Sequence, residues 1–172
     1  MRLHSFKPAL LLAGTLICSS SVFAANMAFS GELIEPACSL DKDTIPVNMG
    51  MTYTQYLYKY QRTVGTPFEL LLKSCDLTHT NKVKITFDGV RNANLPTFLI
   101  VNGSTVRGVA IGLETPTGQA LTLGSSENYA LLAGNNVLKL NAYLQGEPNA
   151  LLNQTIRPGS FTSTATFTLE YF

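Results

Sequence analysis

The sequence predicts an all-β sandwich, and three observations carry that expectation. About seven short segments alternate apolar and polar side chains and are separated by turn residues. No stretch sustains a helical period or carries helix caps. The clearest alternation closes the chain: Phe161, Ser163, Ala165, Phe167, Leu169 and Tyr171 on one side, Thr162, Thr164, Thr166, Thr168 and Glu170 on the other. A period of two with one mostly apolar side is a half-buried strand. No later segment of this sequence can pair with it. Either an earlier strand or another protein therefore covers its far edge, because an open apolar edge promotes aggregation.

The chain opens with a short basic lead that includes Arg2 and Lys7, then a mostly apolar run over residues 8–17, then the small-residue exit Ser19-Ser20-Ser21-Val22-Phe23-Ala24-Ala25. This order predicts a secretory signal peptide over residues 1–24, cleaved after Ala24. The apolar run is too short to span a bilayer, and Cys18 is not preceded by the small residue of a lipoprotein site. The rest, residues 25–172, has a one-domain length. The whole chain has 12 Lys+Arg against 11 Asp+Glu, and the leader takes two of the basic residues with it. What remains lacks the basic footprint of a nucleic-acid-binding protein, so no nucleic-acid partner is expected.

Beyond the leader, Cys38 and Cys75 form an even pair in an exported chain, for which a disulfide is the expected state. A zinc site would need more ligands than the one remaining histidine, His79, can supply without a CxxC. Residues 44–49 read as a short edge strand because of Pro46. Residues 53–60 hold four tyrosines, which fit either a stacking surface for sugar or a partner, or an aromatic edge covering the core. The absence of tryptophan favours the edge. Residues 66–75 form a strand with Phe68, Leu70 and Leu72 on one face. Residues 82–89 alternate and stop at Asp88-Gly89, and residues 98–101 stop at Asn102-Gly103. Residues 108–113 and 137–144 complete the strand set, with a polar loop over residues 145–157 before the last strand.

Several of these residues sit in a recognisable pattern. Gly159 opens the terminal stretch, Tyr171 is penultimate, and the apolar face lies between them. Near the other end, Phe29-Ser30-Gly31-Glu32-Leu33-Ile34 precedes Pro36 and Cys38, and Phe68-x-Leu70-x-Leu72 precedes Cys75. Gly108-Val109-Ala110-Ile111-Gly112-Leu113 leads into a polar turn that contains glycine. This chain resembles the pilin subunits of the chaperone–usher pathway, nearly throughout residues 25–172. The resemblance implies an immunoglobulin-like sandwich that lacks its seventh strand and is completed by strand addition from outside. It implies a groove strand made of Gly159, Phe161, Ala165, Phe167, Leu169, Tyr171 and Phe172. It implies a donor extension over residues 25–30 with Ala25, Met27 and Phe29 as its inserting side chains, and a pilin domain over residues 31–172. The partners it implies are a periplasmic pilus chaperone, an outer-membrane usher and neighbouring pilin subunits. The implied destination is the cell-surface fimbrium of a Gram-negative bacterium, reached through the periplasm.

The sequence offers no catalytic constellation. There is no G-x-S-x-G elbow, no glycine-rich phosphate loop and no thiol left over once Cys38 and Cys75 pair, so neither an enzyme nor a cofactor is expected. His79 lies in a loop between two strands and reads as a surface histidine. The expected function is a structural subunit that polymerises by donor-strand exchange and supports adhesion. The alternative is a carbohydrate- or protein-binding tip or adaptor module, with the tyrosine-rich segment as its site.

Overall fold

The computed structural model describes residues 27–31, 33 and 35–172. The expectations for residues 1–24 and for Ala25 fall outside these residues. The chain divides into two units, Met1–Ile34 and Glu35–Phe172. In the first, Met27, Phe29 and Leu33 are exposed to 76%, 86% and 100%.

In the second unit the described elements run in the order β1 (Ser39–Leu40), α1 (Thr54–Tyr60), β2 (Thr66–Cys75), β3 (Lys82–Gly89), β4 (Leu99–Ile100), β5 (Val109–Glu114), β6 (Ala120–Leu121), β7 (Ser126–Ala130), β8 (Gly134–Gly146), α2 (Pro148–Leu152) and β9 (Ala165–Tyr171). One sheet has the order β1-β2-β8-β5-β4, with β6 also paired to β5. The other is β7-β3-β9. Every strand pairing is antiparallel. Leu70, Leu72, Ile111, Leu113, Leu138 and Leu140 of the first sheet meet Val83, Ile85 and Phe87 of the second in one buried cluster. This is the sandwich that the alternation predicts. Each fully buried side chain contributes about 1.5–3 kcal/mol.

The Cys38–Cys75 disulfide forms as expected and ties the chain before β1 to the end of β2. A second cluster, made of Leu57, Val106, Val109, Leu144, Ala150 and Ile156, lies under α1. β5 is buried along its whole length, including Glu114 at 4% exposure. Arg62 answers that buried carboxylate with Nη2 at 2.8 Å from both oxygens, and its guanidinium lies 3.6 Å from the centre of the Tyr143 ring. A buried charge without such a partner is strongly disfavoured.

Four expectations are corrected. No helix was expected, yet within the tyrosine-rich edge of residues 53–60, residues 54–60 form α1. The helix is only seven residues long, too short for a 3.6-residue period to repeat visibly, and packing of Leu57 rather than intrinsic propensity holds it. The loop expected over residues 145–157 contains the end of β8 and then α2, which starts with Pro148 in its first turn, where a missing N–H costs nothing. Residues 44–49 are not a strand, since they join no ladder. Their side chains still alternate, with Ile45, Val47 and Met49 packed on the core and their neighbours exposed. The last strand begins at Ala165 rather than Phe161, because Thr162 exchanges backbone hydrogen bonds with Asn102 at 2.8 Å in each direction and so belongs to the other sheet's margin. The short strands β6 and β7 were not anticipated.

Candidate strand-acceptor site

β9 pairs with β3 alone, so its opposite edge has no strand partner among the described residues. The direction of its unused backbone groups follows from the register. Lys82 and Phe172 exchange both hydrogen bonds, at 3.2 and 3.1 Å. In an antiparallel ladder such pairs recur at every second residue. Glu170, Thr168 and Thr166 therefore bond to Lys84, Thr86 and Asp88, and Ala165, Phe167, Leu169 and Tyr171 direct their N–H and C=O groups away from β3. Three of them, Phe167, Leu169 and Tyr171, also turn half-buried side chains onto the core. A strand laid along this edge would meet free donors and acceptors and an apolar row at the same positions.

The burial pattern marks a sandwich that stops one strand short. Across the β3–β9 ladder, Tyr171 lies opposite Val83, Leu169 opposite Ile85 and Phe167 opposite Phe87. The β3 members are 0%, 1% and 5% exposed, whereas the β9 members are only half-buried. Phe87 and Phe167 touch with ring centres 6.3 Å apart. Residues 37–49 supply a second half-buried row, Leu40, Ile45, Val47 and Met49, which packs on the same core. The two rows meet at one end, where the Tyr171 hydroxyl donates to the Cys38 carbonyl at 3.4 Å. At the other end, Met49 and Phe161 both pack against the main core and against the cluster under α1. No ladder joins the rows among the described residues. Tyr171 is desolvated enough that its hydroxyl ionises above the ordinary tyrosine value.

The site residues expected from the sequence fall into three groups. Phe161, Phe167, Leu169 and Tyr171 line the half-buried row. Ala165, opposite Gly89, is exposed. Gly159 lies outside the row: a Cβ there would collide with Thr105 Oγ1 and lie 3.0 Å from the Val106 nitrogen, so it seats the chain before β9. Phe172 is half-exposed and borders, with His79, a shallow hollow of about 190 Å3. His79 is a surface residue in the loop before β3. Ile45, Val47 and Met49 were missed as site residues. Their period of two was visible, but the role of their row depends on β9, more than a hundred positions away in the sequence.

Comparison with known proteins gives one answer. The family model described as "Fimbrial protein" matches residues 27–172. The fimbrial adapter PapK of Escherichia coli is 30% identical, over 95% of this chain and 96% of that protein. The fimbria A protein of Serratia marcescens is 29% identical, over 99% of each. Among solved structures, the P pilus rod subunit PapA matches with a TM-score of 0.68 at 23% identity, over 80% of this chain and 100% of that one. A subunit in a chaperone–usher pilus structure also matches with a TM-score of 0.68, at 22% identity over 93% and 100%. The shared fold is the immunoglobulin-like sandwich of these pilins.

Proposed function

From the chain's membership of the fimbrial protein family, whose members are structural subunits of cell-surface fimbriae, we infer that this protein polymerises by taking a neighbour's strand along β9 and giving its own extension to another neighbour. The observation that carries this reading is the open edge of β9, where free backbone groups and half-buried side chains coincide on Phe167, Leu169 and Tyr171. Strand addition needs that coincidence, because the ladder supplies affinity and the alternate side chains supply register. The complementary piece is the extension containing Ala25, Met27 and Phe29, of which Met27 and Phe29 are exposed.

Before assembly the same edge needs a cover, since an exposed apolar edge aggregates. A periplasmic chaperone fills that role in this reading, pairing with β9 and holding the Phe172 carboxylate through a basic anchor. The subunit is then handed to an outer-membrane usher and carried to the fimbrial surface, where it supports adhesion. Its relatives include an adapter and a rod subunit.

The test is strand exchange between a donor peptide of residues 25–31 and the chaperone-bound chain. Met27→Arg and Phe29→Arg peptides each lose an apolar side chain worth about 1.5–3 kcal/mol on burial and add an unpaired charge. Exchange is expected to fail for both, while the chaperone complex of the full-length variants stays intact. Unchanged exchange rates for both peptides would overturn the donor assignment.

A further inference from the structure

The helix α1 presents aromatic side chains that neither fold nor groove uses. Tyr53, Tyr56 and Tyr60 are exposed to 80%, 38% and 50%, and Met51 just before them to 99%. Tyr56 and Tyr60 stand one turn apart with ring centres 4.6 Å from each other. Lys59 Nζ lies 4.9 Å from the Tyr60 ring centre. The inward side of the same helix is fully engaged. Leu57 is buried, and the Tyr58 hydroxyl accepts from the Ile156 N–H at 3.0 Å. Replacing the outer tyrosines therefore leaves the anchor of α1 in place. A contiguous exposed aromatic strip of this kind marks an interaction surface, and tyrosine is enriched where interfaces concentrate their energy.

The position of the strip names its occupant. It follows directly in sequence from Met49, and α1 shares the Leu57 cluster with Met49 and Phe161. It therefore lies at the Met49–Phe161 end of the groove, opposite the end closed by Tyr171 and Cys38. An added strand antiparallel to β9, like every pairing in this molecule, starts beside Tyr171 and leaves beside Phe161. Whatever is joined to the strand's C-terminal end then emerges next to α1. In a second copy of this chain, the residues that follow the extension include Leu33, fully exposed, and Glu35, also exposed. An apolar side chain followed by a carboxylate matches a tyrosine strip that carries Lys59.

We propose that Met51, Tyr53, Tyr56, Lys59 and Tyr60 form a docking surface for the body of the copy whose extension fills the groove, with Glu35 of that copy paired to Lys59. The inference rests on the strand-acceptance reading. It adds a second contact that fixes the angle between successive subunits.

The test compares two donors on immobilised chaperone-bound chain, either wild type or Tyr53→Ser/Tyr56→Ser/Tyr60→Ser: the peptide of residues 25–31 and the whole chain, itself supplied as its chaperone complex. The triple variant is expected to bind the peptide as wild type does and to bind the whole chain roughly 10- to 100-fold more weakly. Lys59→Glu in the acceptor is expected to weaken whole-chain binding, and Glu35→Lys in the arriving copy to restore it. Equal whole-chain affinity for wild type and triple variant would overturn the proposal, as would equal loss of peptide binding. If the peptide binds neither protein, strand acceptance itself falls and takes this inference with it. If a glycan array binds wild type but not the triple variant while whole-chain affinity is unchanged, the strip is a sugar site instead.

Discussion

Tyr129, Tyr143 and Tyr171 show at the residue scale how far burial reaches. Burial raises the ionisation of all three above the ordinary value of 10.0; Glu127 adds to the shift of Tyr129, while at Tyr143 the Arg62 guanidinium opposes it and Glu114 adds to it. Because the folded-state values are raised, the unfolded chain releases these protons first. Their contribution to stability is complete below pH 10 and is lost as the pH climbs through the raised values. A spectrophotometric tyrosinate titration is expected to show a set that ionises late, above pH 10. Unfolding midpoints in denaturant are expected to fall above pH 10 and to fall less in Tyr129→Phe. The disulfide also belongs to this scale. Cys38 and Cys75 close a loop of 37 residues, which in the chain-entropy account stabilises by roughly 3–4 kcal/mol. The double Ser variant is expected to lose about that much in a denaturant melt, and the wild-type protein to show no free thiol at these two positions by mass spectrometry.

The element that matters most is β9. The Lys84–Glu170 ion pair ties down its outer face and the Lys82–Phe172 backbone pair closes its end against β3, while its far edge has no strand partner among the described residues. Deleting Leu169 to Phe172 removes two of the half-buried side chains and the terminal pair with Lys82. On the proposed reading, the truncated chain is expected to give no stable complex when co-expressed with a periplasmic pilus chaperone, checked by co-purification. Gly159 is a second element-scale point, because it fixes where the chain crosses from the margin of one sheet to β9. Gly159→Ala drives a methyl into Thr105 and the Val106 backbone and is expected to cost about 1–3 kcal/mol in a melt, with strand exchange of the folded fraction unchanged.

At the scale of the whole molecule, the sandwich has two rows of half-buried side chains that meet at one end and are joined by no ladder. On the proposed reading, a strand supplied within the same chain is expected to close it. Residues 25–31 fused after Phe172 through a short flexible linker act at high effective concentration. Burying Met27 and Phe29 at about 1.5–3 kcal/mol each is expected to raise the melting temperature on the order of 10 °C. Calorimetry of the fused and unfused proteins checks this, and a Phe29→Arg fusion is expected to show little of the gain.

Alternation determined much of this protein directly. The apolar period of two named β2, β3, β8 and β9 and their buried faces, because a strand writes its two environments into adjacent residues, whereas β5 is buried on both faces and was named by its motif. The pairing of Cys38 with Cys75 was equally legible, since reading residues 1–24 as a leader leaves an even cysteine count. Tertiary structure alone decided the rest. The helix α1 spans too few residues for its period to show, and it exists because Leu57 finds a cluster assembled from β5, β8 and α2. Residues 44–49 have a strand's alternation without a strand's ladder, since hydrogen-bond partners are a property of neighbours and not of the segment itself. The acceptor site was half legible for the same reason: Phe167, Leu169 and Tyr171 announce an apolar row, but only the β3–β9 register shows that their backbone groups face an empty edge.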